Sequence, residues 1–136
     1  MWAGAGGATL VQLRQVRGIW VVAITGRLDR SAVQPCRAAL QVATDQQGPI
    51  VVDLGRAAPP LSVSISLLGA IRRYAAARGA AITLTAVPEP WVTALARARV
   101  GHLYEVTPSL SQAFTQADTH LETSTQRAVA TGSHVP

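Results

Sequence analysis

The sequence contains no lysine. All 12 basic residues are arginine, set against seven acidic ones, for a formal net charge of +5. Cysteine, methionine and phenylalanine occur once each, and aromatic residues fill only 4% of the 136 positions. Each scarcity excludes something. A lone Cys36 rules out an internal disulfide and any cysteine-held metal cluster, and it fits a reducing compartment. His102, His120 and His134 are widely spaced, with no His/Cys/Asp grouping at metal-ligand spacing, so no metal or other cofactor is expected. No apolar run approaches the roughly 18 residues of a spanning helix. The opening Met1-Trp2-Ala3-Gly4-Ala5-Gly6-Gly7 lacks the basic start and apolar stretch of a signal peptide. A soluble, cytoplasmic protein is expected. The arginines are scattered, with only Arg72 and Arg73 adjacent and no aromatic residues interleaved, so nucleic acid is not an expected partner.

What is present is a pattern of short β-branched runs and amphipathic stretches. With few aromatics, the core must come from Val, Leu, Ile and Ala, which favours a layered α/β domain. Leu10–Val16 alternates like an edge strand, Arg17-Gly18 is a tight turn, and Ile19–Thr25 is apolar enough for a strand buried on both faces. Ser31 is a candidate N-cap for a helix over 32–44, whose Val33, Cys36, Leu40 and Ala43 recur on one side. Cys36 reads as a small core residue, although its place near a helix start could lower its pKa. Ile50–Leu54 is a buried strand ending beside Asp53, an acid expected to hydrogen-bond the next turn. After Pro59-Pro60, a second helix runs to about Arg78, with Ile65, Leu68, Ile71 and Ala75 inward and Arg72, Arg73 and Arg78 outward. A strand over 81–86, a short helix over 91–99, a strand over 104–106 and a last helix over 109–122 complete the order ββαβαβαβα. Trp91 is expected to plug the core edge, with exposure as a partner anchor the alternative. The domain is predicted to span 9–122, between a flexible 1–8 and a disordered Ser/Thr-rich tail, 123–136. Successive βα units imply a mixed, mostly parallel sheet with an antiparallel N-terminal hairpin and about four helices mainly on one face.

Four local signals occur in a telling order. They are Gly26-Arg27-Leu28-Asp29 after the second strand, Val51-Val52-Asp53-Leu54 ending the third, Ala77-Arg78-Gly79-Ala80-Ala81-Ile82-Thr83-Leu84 entering the fourth, and Val100-Gly101-His102-Leu103-Tyr104-Glu105-Val106 entering the fifth. Over roughly residues 10–118 the chain resembles the STAS family, the sulphate-transporter and anti-sigma-factor-antagonist domains. The resemblance implies a single α/β domain that binds proteins and is not an enzyme. It further implies an anti-sigma-factor antagonist that docks on a serine-kinase-type anti-sigma factor and releases a sigma factor, so that transcription rises. Alternatives within the family are an accessory subunit of a membrane lipid or anion transport system, and a small-ligand or nucleotide sensor.

The family's phosphorylated members carry Asp-Ser-Ser/Thr-Gly at the start of the second helix, with the second hydroxyl as phosphoacceptor. Counted without gaps from Asp53, this chain has Leu61-Ser62-Val63-Ser64 there. Val63 stands at the acceptor position and has no oxygen to carry the roughly −1.5 to −2 charge of a phosphate. Ser62 or Ser64 would be an acceptor only in a shifted register, and each is also a natural helix cap. The expected partner surface is Asp29, Ser62, Val63, Ser64, Ser66, Arg72 and Arg73, with no usual phospho-switch. Asp29 also reads as an ordinary turn residue, and Asp29 and Asp53 could approach each other at the carboxyl ends of adjacent strands. No nucleophile–base pair is visible, so no catalytic residue is assigned.

Overall fold

The computed structural model describes residues 9–108. Strands β1 (Leu10–Val16) and β2 (Ile19–Gly26) pair antiparallel. Their two-residue turn puts both Arg17 and Gly18 at positive φ, 55° and 79°. Such a turn matches the right-handed twist of the flanking strands, and Gly18 takes the conformation without the strain of a Cβ. The chain then crosses into β3 (Ile50–Ala57), β4 (Ile82–Thr85) and β5 (Glu105–Thr107), each parallel to the strand before it, so the sheet runs in sequence order from β1 to β5.

Helices α1 (Val33–Asp45), α2 (Ser62–Ala77) and α3 (Glu89–Arg97) make the crossovers and lie over one face. The core is the layer between them. Cys36, Leu40 and Ala43 come from α1, Leu68, Ile71 and Ala75 from α2, and Trp91 and Leu95 from α3. They meet Val22, Ile24, Ile50, Val52, Leu54, Ile82 and Leu84 from the sheet. These are alternate strand positions, as the period of two requires. Ile19, Val21 and Val51 are also buried, on the opposite pleat, so β2 and β3 are covered on both faces as expected. At the far ends of α1 and α2, Arg78 forms an ion pair with Asp45 and donates from Nε to Thr44 Oγ1 at 2.6 Å.

Most element boundaries fall within two residues of the expected ones, with two instructive exceptions. β3 continues three residues past Leu54, because a register shift between Ala23 and Thr25 inserts an extra β3 residue and lets pairing resume at Thr25–Arg56. Ser31 is not the cap of α1. Asp29 instead caps a 3-10 turn (Arg30–Ala32) that leads into the helix, its carboxylate accepting from Ser31 N–H at 2.9 Å and from Ser31 Oγ. The fourth helix and both terminal segments expected from sequence lie outside the described residues.

Candidate functional site

Three connections converge at the carboxyl ends of β2, β3 and β4, the end at which open α/β sheets place their sites. Hydrogen bonds bind them into one surface. Ala58 N–H donates to Gly26 O at 2.7 Å, tying the β3–α2 connection to the end of β2. The same residue's carbonyl accepts from Trp91 Nε1 at 2.9 Å, tying it to α3. Trp91 is wholly enclosed, so the tryptophan is the expected plug rather than an exposed anchor, and its one polar atom is used as a clamp. Ser64 Oγ makes a third tie, donating to Leu28 O at 2.7 Å while accepting from Leu61 N–H at 2.9 Å.

These bonds decide what the expected site residues do. Helix α2 begins at Ser62 with Leu61 as its N-cap, so neither serine is the cap. A leucine side chain cannot accept a hydrogen bond, which leaves only the Ser64-to-Leu61 half of a reciprocal capping box. Ser64 has no exposed surface, so it is a structural clamp and is withdrawn from any surface that a kinase or a partner could touch. Ser62 and Ser66 are exposed on the first turns of α2, and Val63 is half-buried beside them. Asp29 stands at the neighbouring connection, and its hydrogen bonds from Ser31, side chain first, hold its pKa below the usual carboxylate value.

Arg73 is exposed as expected, but Arg72 is not outward-facing. It is half-buried in a groove shared with Tyr104, and its Nε is enclosed with no partner. Burial pushes the Tyr104 phenol up, and Arg72 beside it acts in the opposite direction. Asp29 and Asp53 are not brought together into one acidic site. Asp53 accepts from Gly55 N–H at 2.8 Å, the expected turn bond, and lines a groove that Asp29 does not reach. Cys36 is buried at the α1–α2 contact, and burial pushes its thiol up to about 11, the reverse of a helix-start activation. Among the described residues, no group of three His, Cys, Asp or Glu is placed to hold a metal, and no helix is long and apolar enough to cross a membrane.

The family model described as "Mlab, STAS domain" matches residues 11–108, well over half of the chain. The chain belongs to the STAS family. Its fold is shared by an anti-sigma factor antagonist from Mycobacterium paratuberculosis, with a TM-score of 0.69 at 17% identity over 84% of this chain and 97% of that one. It is shared by a variant of RsbS from Moorella thermoacetica, with a TM-score of 0.66 at 22% identity over 82% and 97%. The phosphorylated Bacillus cell fate determinant SpoIIAA superposes with a TM-score of 0.58 at 20% identity over 79% and 98%. At these identities the likeness is one of fold. No curated protein matches the sequence.

Two features of this STAS surface escape a sequence reading. Leu61, 47% exposed, projects at the tip of the β3–α2 connection. Behind it an open groove runs between α2 and α3, walled by Pro60, Ser62, Ile65 and Ser66 on one side and by Glu89, Thr93 and Arg97 on the other. A Pro-Pro-Leu run announces a turn but not that its leucine stays outside, and nothing local says that α3 will lie alongside α2. The one usable signal is Pro88-Glu89-Pro90-Trp91, which places a helix start and a large apolar anchor where the groove's second wall begins.

Proposed function

We propose that this STAS domain is a non-enzymatic, protein-binding regulator of the anti-sigma-factor-antagonist type. It docks on a serine-kinase-type anti-sigma factor through the Asp29 turn, the start of α2 and the groove between α2 and α3. The observation that carries this reading is the set of hydrogen bonds through Ala58, Trp91 and Ser64, which holds three connections as one fixed surface around an exposed leucine. Such a surface loses little conformational entropy on binding, and that favours protein recognition. The docking residues are Asp29, Leu61, Ser62, Ser66 and Arg73, supported from beneath by Val63 and Ser64. Docking proceeds without the usual phospho-switch, a reading supported by valine at the acceptor position and by the enclosure of Ser64.

Affinity capture of the tagged chain from its native cells should recover a kinase-type ATPase that also binds a sigma factor. Ser66→Arg, which places a long cation on the exposed groove wall, should abolish recovery while leaving the fold intact. Capture of the ATPase at undiminished yield by that variant would place the interface elsewhere. Stoichiometric phosphate on Ser62 in cells would refute the unswitched reading.

An exposed arginine beyond the groove favours a second reading with the same surface. Arg97 and, beyond it, Arg73 are exposed cations, and Glu89 is the one acid in the wall. An acidic subunit of a membrane transport ATPase would fit such a surface. The same capture experiment separates the two, since it would then recover transporter subunits and no sigma-factor-binding protein.

A further inference from the structure

The sheet face turned away from α1, α2 and α3 carries a second polar groove, remote in purpose from the docking surface. It has a volume of about 570 Å³ and is lined by Gln12 and Arg14 of β1, Thr25 of β2, and Asp53 and Arg56 of β3. The strand register explains how they meet. Gln12 lies opposite Ala23 and Ala23 beside Asp53, which forms a central row with the small Ala23 as its floor. Arg14 stands one row to one side, opposite Val21. Arg56 stands one row to the other side, beside Thr25.

Arg56 is there only because of the bulge. Without the extra β3 residue, Gly55 would take the place beside Thr25, and Arg56 would fall on the opposite pleat. Gly55 keeps the groove open at the bulge, since a Cβ there would come within 3.1 Å of Asp53 Oδ1 and 3.2 Å of the Ala86 Cβ. The backbone is also held in the left-handed region at Ala86, with φ 54°. A bulge and a positive-φ alanine are local departures from regular structure of the kind that re-aim side chains at a site.

The groups in this groove are incompletely paired. Among the described residues the one ion pair is Arg78–Asp45, and neither the Arg14 nor the Arg56 guanidinium joins a hydrogen bond or ion pair. Asp53 uses Oδ1 for Gly55 N–H, which leaves its second oxygen to accept. On the same face, Thr85 lies beside Asp53 in the ladder with a fully enclosed hydroxyl that has no partner. Two guanidiniums, planar and permanently charged, are the donors that phosphate recognition uses. A carboxylate oxygen and an amide between them suit hydroxyl groups. The guanidinium-bearing rows are four β2 residues apart, roughly 13 Å along the strand, a span that two extended arginine side chains are long enough to bridge around one phosphate. No aromatic residue lines the groove, so nothing there would stack on a base.

We infer that this groove binds a small phosphorylated polyhydroxy compound, a sugar-phosphate-like ligand whose phosphate is held by Arg14 and Arg56 and whose hydroxyls donate to Asp53. The proposal is independent of what docks on the α2 surface. The test uses the full chain, titrated with glucose 6-phosphate, glucose and inorganic phosphate by calorimetry and by amide chemical shifts. Glucose 6-phosphate should bind saturably, tighter than about 1 mM, and shift the amides of Gln12, Thr25 and Gly55. Inorganic phosphate should bind at least about tenfold more weakly and glucose not at all. Arg14→Gln/Arg56→Gln should lose the binding, whereas Arg99→Gln, which removes another exposed charge elsewhere, should retain it. Both arginines to be changed are exposed, so the double variant should fold. No saturable binding of the ester up to about 10 mM would overturn the inference, as would equal binding by the double variant. Equal affinity for inorganic phosphate would overturn it too, because Asp53 and Gln12 would then contribute nothing.

Discussion

Ser64 joins two connections and the start of a helix through a single oxygen, so Ser64→Ala offers a sharp test. The substitution removes the hydroxyl that donates to Leu28 O and accepts from Leu61 N–H. Each bond contributes about 1 kcal/mol net, and a buried group left unpaired costs about 1–3 kcal/mol. Leu28 is buried, so its carbonyl bears the larger penalty, while the exposed Leu61 N–H can turn to water. Alanine returns up to roughly 0.5 kcal/mol through its better helix propensity. The balance is a loss of about 2 kcal/mol. For a chain of this size each kcal/mol moves Tm by about 4 °C, so the drop should be about 8 °C. Thermal and urea unfolding followed by circular dichroism would read it. The controls are Ser62→Ala and Ser66→Ala on the exposed side of the same helix, which should stay within about 0.5 kcal/mol of the parent. A Ser64→Ala variant as stable as those controls would refute the clamp, and with it the claim that the docking surface is preorganised.

Other outcomes follow from the same geometry. Leu61→Asp supplies the acceptor that the α2 N-cap lacks and adds a negative charge at the helix start, so it should raise stability by about 1 kcal/mol in the same unfolding assays. Trp91→Phe keeps an aromatic ring but leaves a small void and deletes the Nε1 bond to Ala58 O. It should cost about 1–2 kcal/mol and speed amide exchange at Ala58 and its neighbours, whereas unchanged exchange would mean the clamp is idle. The Cys36 thiol, raised to about 11 from an ordinary value near 9.0, should resist alkylation at neutral pH until the protein unfolds. Because the folded state holds that proton more tightly, its contribution to stability is whole below the ordinary value and is lost as pH rises from there to about 11. Cys36→Ala should flatten that alkaline decline.

The parts of the molecule that were legible in the sequence are those where one period dominates. The Ile19–Thr25 and Ile50–Val52 runs are mostly apolar and β-branched, and α1 and α2 repeat their apolar residues at helical spacing, so the βα order could be read directly. What escaped reading depends on partners distant along the chain. Gly55-Arg56-Ala57 has no strand signature, and it pairs only because a bulge restores its register with Thr25 and Gly26. Ser31 and Asp29 are equally good caps by type, but it is Asp29 that closes the 3-10 turn and so fixes the entry to α1. Ser64 resembles a cap from sequence alone. It is drawn inside by Leu28, 36 positions earlier, which no local pattern records. Arg72 belongs to the polar stripe of α2 by spacing, yet Tyr104 and the segment before β5 fold across that stripe. At the start of α2, therefore, the division between exposed and buried members of the expected surface was not readable from the sequence.

That division bears on how the surface is controlled. A switchable serine has to be reachable, and its hydroxyl has to be dispensable to the fold. At the tip and at the acceptor position of α2 neither requirement finds a serine to meet it. The residue that is reachable at the tip is Leu61, which has nothing to modify, and the acceptor position holds Val63. The hydroxyl that organises the turn is Ser64, and both of its hydrogen-bonding directions are already committed inside the protein. A phosphate on that oxygen would have to break both bonds and bring its charge into an enclosed site, at a cost of the same order as the stability of the domain. Leu61, Val63 and Ser64 are thus mutually consistent. A buried hydroxyl holds the apolar tip in place, and the exposed Ser62 and Ser66 are the hydroxyls at the start of α2 on which charge could still be placed. This consistency supports the proposed unswitched docking, and it makes Ser62 the hydroxyl at which a phosphate found in cells would count most strongly against it.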